Sequence, residues 1–448
     1  MIINKSHVIL VSPSFRFEIQ DTSEIKYSNS MNEDPEFPLN LGLLGSILID
    51  NGYTVDLINS NVHSNWHERI YNILNKREDI AYIGFTVVSS QAGATFKLAK
   101  EIKQKYPTIK IVFGGVHPTL VPNGLLKGGF VDFCVVNEGD VAVVKLVEYI
   151  NGKIPLESVP NIVTLKNGNI LVTEKLPLST FDVLPQAMHP SLYENDMAEY
   201  IKNGKPFSLL TGLGCNYQCA FCINNITKRR YRSKKAESIY AELKALNKRY
   251  GIKVFIFQEE HFFADRERLF KLLELFENDA DLFGKIKWIT NVRVTDIKDS
   301  WLSVPLLKRL VKAGCISLAQ VIGQLLKIGP YVRVPFFQTY RPYPGSIWET
   351  DLSRFEDPEA IPDEMWRMQL VTKERLSNFG NDADFLYNLI SITQVMCLSA
   401  VSTNSNRLKR LIGRLAFPLC AYRIRTLNFN LMVERKLLEH IRKKYTTF

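Results

Sequence analysis

The chain has little of what marks several protein classes. Its 448 residues hold only seven cysteines and seven histidines, and they show no internal repeat and no low-complexity or disordered tract. The opening Met1-Ile2-Ile3-Asn4-Lys5-Ser6-His7 has neither a basic-then-apolar signal pattern nor an arginine-rich transit pattern, so a cytoplasmic protein is the expectation. No apolar run reaches the length of a membrane span. The strongest, residues 386–401, is short and broken by Asn388 and Gln394, and reads as a buried or interfacial helix. The cysteines are odd in number and three of them fall within eight positions, which argues against a disulfide framework and for metal ligation in a reducing compartment. The other four, Cys134, Cys315, Cys397 and Cys420, are scattered in the manner of core residues.

What is present is ordinary globular material, 46% hydrophobic and 23% charged, in a chain long enough for two or three domains. The formal charge of +10 reads as solvated surface rather than a nucleic-acid footprint. Much of the excess follows Arg407, so an anionic partner such as a membrane surface would meet the C-terminal region.

Up to residue 152, β-branched apolar runs alternate with helical patterns, which predicts βαβ units around a parallel sheet. The strand candidates are residues 7–11, 54–58, 80–88, 110–113 and 131–136, with helices starting near Pro38, Trp66, Ala92, Leu120 and Val141. Five strands in this rhythm make a doubly wound, flavodoxin-like domain, which binds ligands at the carboxyl ends of its strands. Small and polar residues collect there: Ser12-Pro13-Ser14, Ser89-Ser90, Gly114-Gly115-Val116-His117-Pro118 and Asn137-Glu138-Gly139-Asp140. The glycines either admit a bulky ligand close to the backbone or simply form tight turns.

Residues 153–202 hold scattered prolines and a hairpin-like stretch at Asn167-Gly168-Asn169, and read as a linker. A second βα series occupies residues 203–355, and residues 356–448 read as a mainly helical, basic C-terminal region.

The segment that carries chemistry is Gly214-Cys215-Asn216-Tyr217-Gln218-Cys219-Ala220-Phe221-Cys222, directly after a strand at residues 207–210. Three thiolates on one loop can hold three irons of a cubane and leave the fourth without a protein ligand. A structural zinc site wants four closed ligands; no second cysteine pair lies nearby, and His189 and His261 are poorly spaced to complete one.

The Cys-x3-Cys-x-aromatic-Cys pattern, with Phe221 before the last cysteine, resembles the signature of the radical S-adenosylmethionine (SAM) superfamily. That resemblance implies a 4Fe-4S cluster on Cys215, Cys219 and Cys222, SAM chelated at the open iron and cleaved to a 5′-deoxyadenosyl radical, and backbone near Phe221 lying against the adenine. Further matches follow in order. Val254 through Glu259-Glu260-His261-Phe262 resembles the acidic second strand end, Trp288 through Asn291-Val292-Arg293 the polar third, and Ala313-Gly314-Cys315 the start of the fourth. Glu259, Glu260, Asn291 and Arg293 are thereby expected to contact SAM or substrate, at the mouth of a (β/α) TIM-type barrel.

The first domain resembles the cobalamin-binding partner domain of the same cobalamin-dependent subclass, through Pro38-Leu39-Asn40-Leu41-Gly42, Gly52-Tyr53-Thr54-Val55-Asp56, Gly114 through Pro118 and Glu138-Gly139-Asp140. Ser12, Ser89, Gly114, Gly115, His117, Glu138 and Gly139 are the implied cobalamin contacts. There is no Asp-x-His-x-x-Gly, so cobalamin would bind without the familiar lower histidine, and His117 reads as a loop residue.

Between Cys315 and Pro344 only 29 positions separate passages that relatives space by a further βα unit, so the barrel is expected to be shortened. Two functions follow. One is an enzyme that cleaves SAM at the cluster, takes electrons from a donor protein and uses cobalamin for methyl transfer or another radical transformation of an unidentified substrate. The other is a degenerate, non-catalytic Fe-S and cobalamin-binding sensor or partner subunit.

Overall fold

The computed structural model carries side chains and describes residues 4–13, residues 36–319 apart from 177–178, 182–183, 186, 220–221, 294–295 and 297–299, and residues 352–358. Phe221, the shortened passage after Ala319, residues 386–401 and the basic C-terminal stretch lie outside the described residues. Two compact units are present. The first comprises Met1–Phe207, Leu213–Lys234 and Pro342–Arg367; the second comprises Ser208–Gly212, Lys235–Arg341 and Met368–Phe448.

In the first unit the chain runs β1 (His7–Ser12), α1 (Leu39–Asp50), β2 (Thr54–Asn59), α2 (Trp66–Lys76), β3 (Ile80–Thr86), α3 (Ala92–Lys105), β4 (Lys110–Gly114), α4 (Val116–Leu120), α5 (Pro122–Leu126), β5 (Phe133–Val135), α6 (Ala142–Ile150), β6 (Ile162–Lys166), β7 (Asn169–Val172) and α7 (Met197–Tyr200). The sheet order is β2-β1-β3-β4-β5-β6-β7. Strands β1 to β5 are parallel, in the flavodoxin-like order, so the direction in which successive strands are added across the sheet reverses between β1 and β3.

Period-two alternation decides which side chains meet which helices. Ile9 and Val11 of β1, Ile83 and Phe85 of β3, and Ile111 and Phe113 of β4 share a core with Ile70 and Leu74 of α2 and Phe96, Ala99 and Ile102 of α3. Their neighbours Val8, Leu10, Tyr82 and Val112 face the opposite way, onto Leu41 and Leu48 of α1 and Val143, Leu146 and Val147 of α6. Both faces are thus covered, which is why these strands read as continuous apolar runs. Each such wholly buried side chain contributes about 1.5–3 kcal/mol.

Two features differ from the sequence expectation. The single helix expected near Leu120 is two short ones, because Pro122 has no N–H to continue α4 and instead starts α5. Residues 153–202, expected to be a linker, contribute β6 and β7 as antiparallel strands on the sheet edge, with Leu156, Val159 and Ile162 in the core. The two-residue turn Asn167-Gly168 sets their register, since φ of 53° and 78° matches the twist a tight hairpin requires.

The second unit is built from β8 (Phe207–Leu210), α9 (Ala236–Tyr250), β11 (Val254–Gln258), α10 (Arg266–Glu277), β12 (Lys287–Asn291), α11 (Val304–Lys312) and β13 (Cys315–Ala319). Its sheet order is β13-β12-β11-β8, with β11, β12 and β13 parallel, as in a portion of a βα barrel. Trp288 of β12 stacks on Phe257 of β11 at a ring distance of 5.1 Å and donates its indole N–H to the Ala313 carbonyl at 2.9 Å. Between β8 and α9 the chain forms β9 (Gly212–Leu213), α8 (Ile223–Ile226) and β10 (Arg232–Ser233), and the stretch Leu213–Lys234 groups with the first unit.

Candidate functional site

The carboxyl ends of β1, β3 and β4 form a polar rim in the first unit. Ser12 ends β1 half-buried, and its carbonyl accepts from the Ser60 N–H at 3.1 Å. Asn40, in the first turn of α1, donates to the Thr86 hydroxyl at the end of β3 at 2.9 Å. The β3 chain end is tied across to β4: the Val87 N–H donates to the Gly114 carbonyl at 2.8 Å, and the His117 N–H to the Val87 carbonyl at 3.1 Å. Gly115 sits at φ +100° close against the Val87 backbone: a Cβ there would lie 3.0 Å from the Val87 carbonyl oxygen. Only glycine makes that turn without strain. Gly114 differs, for among the described residues a Cβ would meet nothing nearer than Val135, at the ordinary contact distance of 3.9 Å.

Ser89 and His117, both expected to contact a ligand, are instead internal. His117 is wholly buried, and its Nδ1 pairs with the Ser89 hydroxyl at 3.0 Å. Burial pushes its imidazole down to about 4, so the ring is neutral near pH 7. Its Nε2 has no hydrogen-bond partner among the described residues.

Glu138 is likewise committed. Its carboxylate forms a two-pronged pair with the Arg232 guanidinium, with Nη1 to Oε2 at 2.8 Å and Nη2 bonded to Oε1. Gly139 has ordinary room, with Val135 at 3.4 Å from a Cβ position.

The cysteine loop is closed at its neck. The Cys215 N–H donates to the Arg229 carbonyl at 3.4 Å, and Gly214, at φ +75°, brings its backbone so near Arg230 that a Cβ would lie 2.2 Å from that carbonyl oxygen. The Cys222 N–H donates to the Cys219 carbonyl at 2.9 Å and α8 begins directly afterwards. Cys215, Cys219 and Cys222 form no disulfide among the described residues and are half-buried, unlike the buried Cys134 and Cys315. Among the described residues no three Cys, His, Asp or Glu side chains are gathered closely enough to hold a metal ion, so the loop presents the donors without a preformed cage. Three accessible soft donors on one loop are nonetheless the set that a cubane with one open iron requires.

At the strand ends of the second unit the expected acidic pair divides. Glu259 is buried, and both its oxygens are engaged: Arg268 bonds Oε1 at 2.9 Å and Oε2 at 3.0 Å, and the Thr211 hydroxyl donates to Oε2 at 2.8 Å. The same guanidinium donates to the Thr211 and Phe262 carbonyls and lies 4.8 Å from the Phe262 ring centre. Glu259, expected to contact SAM, here joins β8, β11 and α10 with both oxygens engaged. Glu260 is exposed. Asn291, exposed at the end of β12, donates to the Glu259 carbonyl at 3.1 Å. Arg293 is half-buried, and its N–H donates to Asp296, which also accepts from or pairs with His261 Nε2 at 3.0 Å. Glu260, Asn291 and Arg293 therefore remain at the strand ends as polar groups.

Sequence reasoning passed over Arg232, Arg268, Thr211 and Asp296. Arg232 and Arg268 had only one available signal, a cation a few residues beyond a motif. Their partners at 94 and 9 positions away are set by the fold.

Comparison with known proteins agrees with this architecture. The B12 binding domain family matches residues 33–147, and the Radical SAM superfamily matches residues 209–320. An uncharacterized methyltransferase of Pyrococcus horikoshii is 24% identical over 291 residues, covering 62% of this chain and 59% of that protein. The anaerobic magnesium-protoporphyrin IX monomethyl ester cyclase of Cereibacter sphaeroides is 26% identical over 264 residues, covering 56% and 41% respectively. The chain thus spans about two-fifths to three-fifths of the length of these curated relatives. Among solved structures, the cobalamin-dependent SAM radical enzyme OxsB with aqua-cobalamin bound superposes with a TM-score of 0.61 at 15% identity, covering 99% of this chain and 76% of that one. The radical SAM methyltransferase TsrM from Kitasatospora setae, with cobalamin and a 4Fe-4S cluster bound, superposes with a TM-score of 0.58 at 17% identity, covering 73% and 61%. With the doubly wound sheet, the three-cysteine loop and the βα series in the same order, the chain belongs with the radical SAM proteins that carry a B12 binding domain ahead of the radical SAM domain.

Proposed function

We propose that this chain is a radical SAM enzyme that holds a 4Fe-4S cluster on Cys215, Cys219 and Cys222, binds cobalamin at the carboxyl ends of β1, β3 and β4, and carries out methyl transfer or another radical transformation. The observation that carries the reading is the loop of three half-buried cysteines, none in a disulfide, closed by the Cys215 and Gly214 contacts to Arg229 and Arg230, inside the matched radical SAM region. When bound, the cluster and cobalamin would supply reductive cleavage of SAM and a carrier for the transferred group.

The chain's own residues have distinct tasks in this scheme. The neck contacts close the backbone of the loop that carries the three cysteines, and the exposed Glu260 and Asn291 with the half-buried Arg293 would offer charge and hydrogen bonds at the strand ends to the polar groups of SAM. On the first unit, the uncrowded backbone at Gly114 and the amide and hydroxyl of Asn40 and Thr86 would hold cobalamin at the strand ends. Neutral, buried His117 lies below that rim and is held by Ser89, so it supports the β4–α4 turn rather than reaching a cobalt.

Anaerobic reconstitution tests the reading, followed by iron and sulfide counts and an assay for 5′-deoxyadenosine and S-adenosylhomocysteine. The expected result is four irons per chain and turnover of SAM in the presence of a low-potential reductant. A cluster that forms and never cleaves SAM removes the enzyme reading, leaving the cofactor-binding sensor or partner subunit. A Cys219→Ala protein that still assembles four irons overturns the ligand assignment.

A further inference from the structure

The pair formed by Arg232 and Glu138 joins two stretches of the first unit that have different tasks. Arg232 lies in β10, three residues beyond Arg229, whose carbonyl closes the neck of the cysteine loop. Glu138 lies in the turn from β5 to α6, at the same carboxyl end of the sheet as the cobalamin rim. Their side chains are 12% and 16% exposed, which is dry enough for a two-pronged guanidinium–carboxylate pair to be directional and strong.

The contact is one corner of a larger knot. Arg232 also donates to the Ser179 carbonyl at 2.5 Å, and the Ser179 hydroxyl bonds Asp140. Thus both acidic residues flanking Gly139 are tied, directly or through Ser179, to the strand that leaves the cysteine loop. Asn161 holds the turn from the other side, donating to the Glu138 carbonyl at 2.8 Å while its own Oδ1 accepts from the Leu176 N–H at 3.0 Å. Both Glu138 oxygens are engaged by Arg232 and Asp140 accepts from Ser179, so the same contacts hold the loop neck and the β5–α6 turn.

Resting on the functional reading above, we propose that Arg232 is a positioning residue that couples the cluster loop to the cobalamin turn, so that occupancy of one site alters the other. Its guanidinium touches neither cofactor. It transmits because Glu138 and Ser179 accept from it at fixed angles, and a shift of the β5–α6 turn on cobalamin binding must move β10 and hence the Arg229 carbonyl that holds Cys215.

Two measurements test this. In the cofactor-free full-length protein, hydrogen–deuterium exchange of residues 213–234 should rise about ten-fold or more in Arg232→Ala, with the amides of β1, β3 and β4 unchanged. In reconstituted protein, cobalamin should shift the electron paramagnetic resonance spectrum of the reduced cluster in the wild type. The shift should vanish in Arg232→Ala while iron content and cobalamin stoichiometry stay as in the wild type, diminish in Arg232→Lys, and return only in part in the charge-swapped Arg232→Glu/Glu138→Arg double variant, where no donor at position 232 reaches the Ser179 carbonyl. A cobalamin-induced shift that persists in Arg232→Ala, or unchanged exchange at residues 213–234, overturns the proposal. If the wild type assembles no cluster or takes no cobalamin, the functional reading fails, and the exchange measurement still decides whether Arg232 ties the loop.

Discussion

Replacing Arg268 by methionine leaves the Glu259 carboxylate buried with one remaining side-chain donor, the Thr211 hydroxyl. The pair is almost entirely dry, with side-chain exposures of 3% for Arg268 and 0% for Glu259, so the lost attraction is not replaced by water. Breaking such a pair from one side costs ~3–5 kcal/mol. The carbonyls of Thr211 and Phe262 lose their donor as well. For a unit of this size the expected fall in its melting temperature is roughly 10 °C. Removing both charges in Glu259→Leu/Arg268→Met should recover part of that loss, because the desolvation cost goes with the pair, leaving about 1 kcal/mol for each group it orphans, the Thr211 hydroxyl and the Thr211 and Phe262 carbonyls. Differential scanning calorimetry of the full chain, with its two units treated as separate transitions, measures both variants. The reasoning is refuted if Arg268→Met melts with the wild type, or if Glu259→Gln leaves melting untouched and abolishes SAM binding, since the carboxylate would then serve a ligand rather than the scaffold.

His117 predicts an acid-side loss of stability. Its folded value is depressed to about 4 while the unfolded chain titrates near 6.5, so the unfolded state takes up the proton first as pH falls. Stability from this group is complete above pH 6.5 and declines by up to about 3 kcal/mol on going down to pH 4; urea midpoints at pH 7 and 4.5 should show the slope, and His117→Gln should flatten it. Gly214→Ala forces a Cβ to within 2.2 Å of the Arg230 carbonyl at φ +75° and should open the loop neck, reducing iron per chain after reconstitution by half or more at unchanged secondary structure by circular dichroism. Gly168→Val in the β6–β7 turn should cost about 1–2 kcal/mol and leave iron content unaffected, because the strain falls on the sheet edge, and a chemical melt with an iron assay separates the two effects.

The parts legible in advance are those that local pattern controls. Five strand positions and their helices follow from alternating β-branched and amphipathic stretches, and each of residues 7–11, 54–58, 80–88, 110–113 and 131–136 contains or overlaps an observed strand. Three cysteines in eight positions declare a soft-donor loop without any knowledge of its surroundings. The break at Pro122 was also written in the sequence, through a missing N–H, yet the apolar pattern across it reads as one helix.

Other features needed the folded chain. The same Glu-Glu-His string reads as two equivalent acids, and only burial separates Glu259, enclosed by Arg268 and Thr211, from exposed Glu260. The hairpin at Asn167-Gly168 was visible as a turn, but its addition to the edge of the parallel sheet depends on pairing with β5, about thirty residues away.

By itself the sequence determined the order of the two domains, the alternation that covers both sheet faces, and the soft-donor chemistry of Cys215, Cys219 and Cys222, because each depends on residues close together along the chain. The tertiary structure decided what the remaining polar groups do: it buried Ser89 with His117, committed Glu138 to Arg232 and Glu259 to Arg268, and left Asn40, Thr86 and Asn291 at strand ends. The reason is that a charge acquires its role from its partner and its access to water, and both are fixed by segments that meet only when the chain has folded.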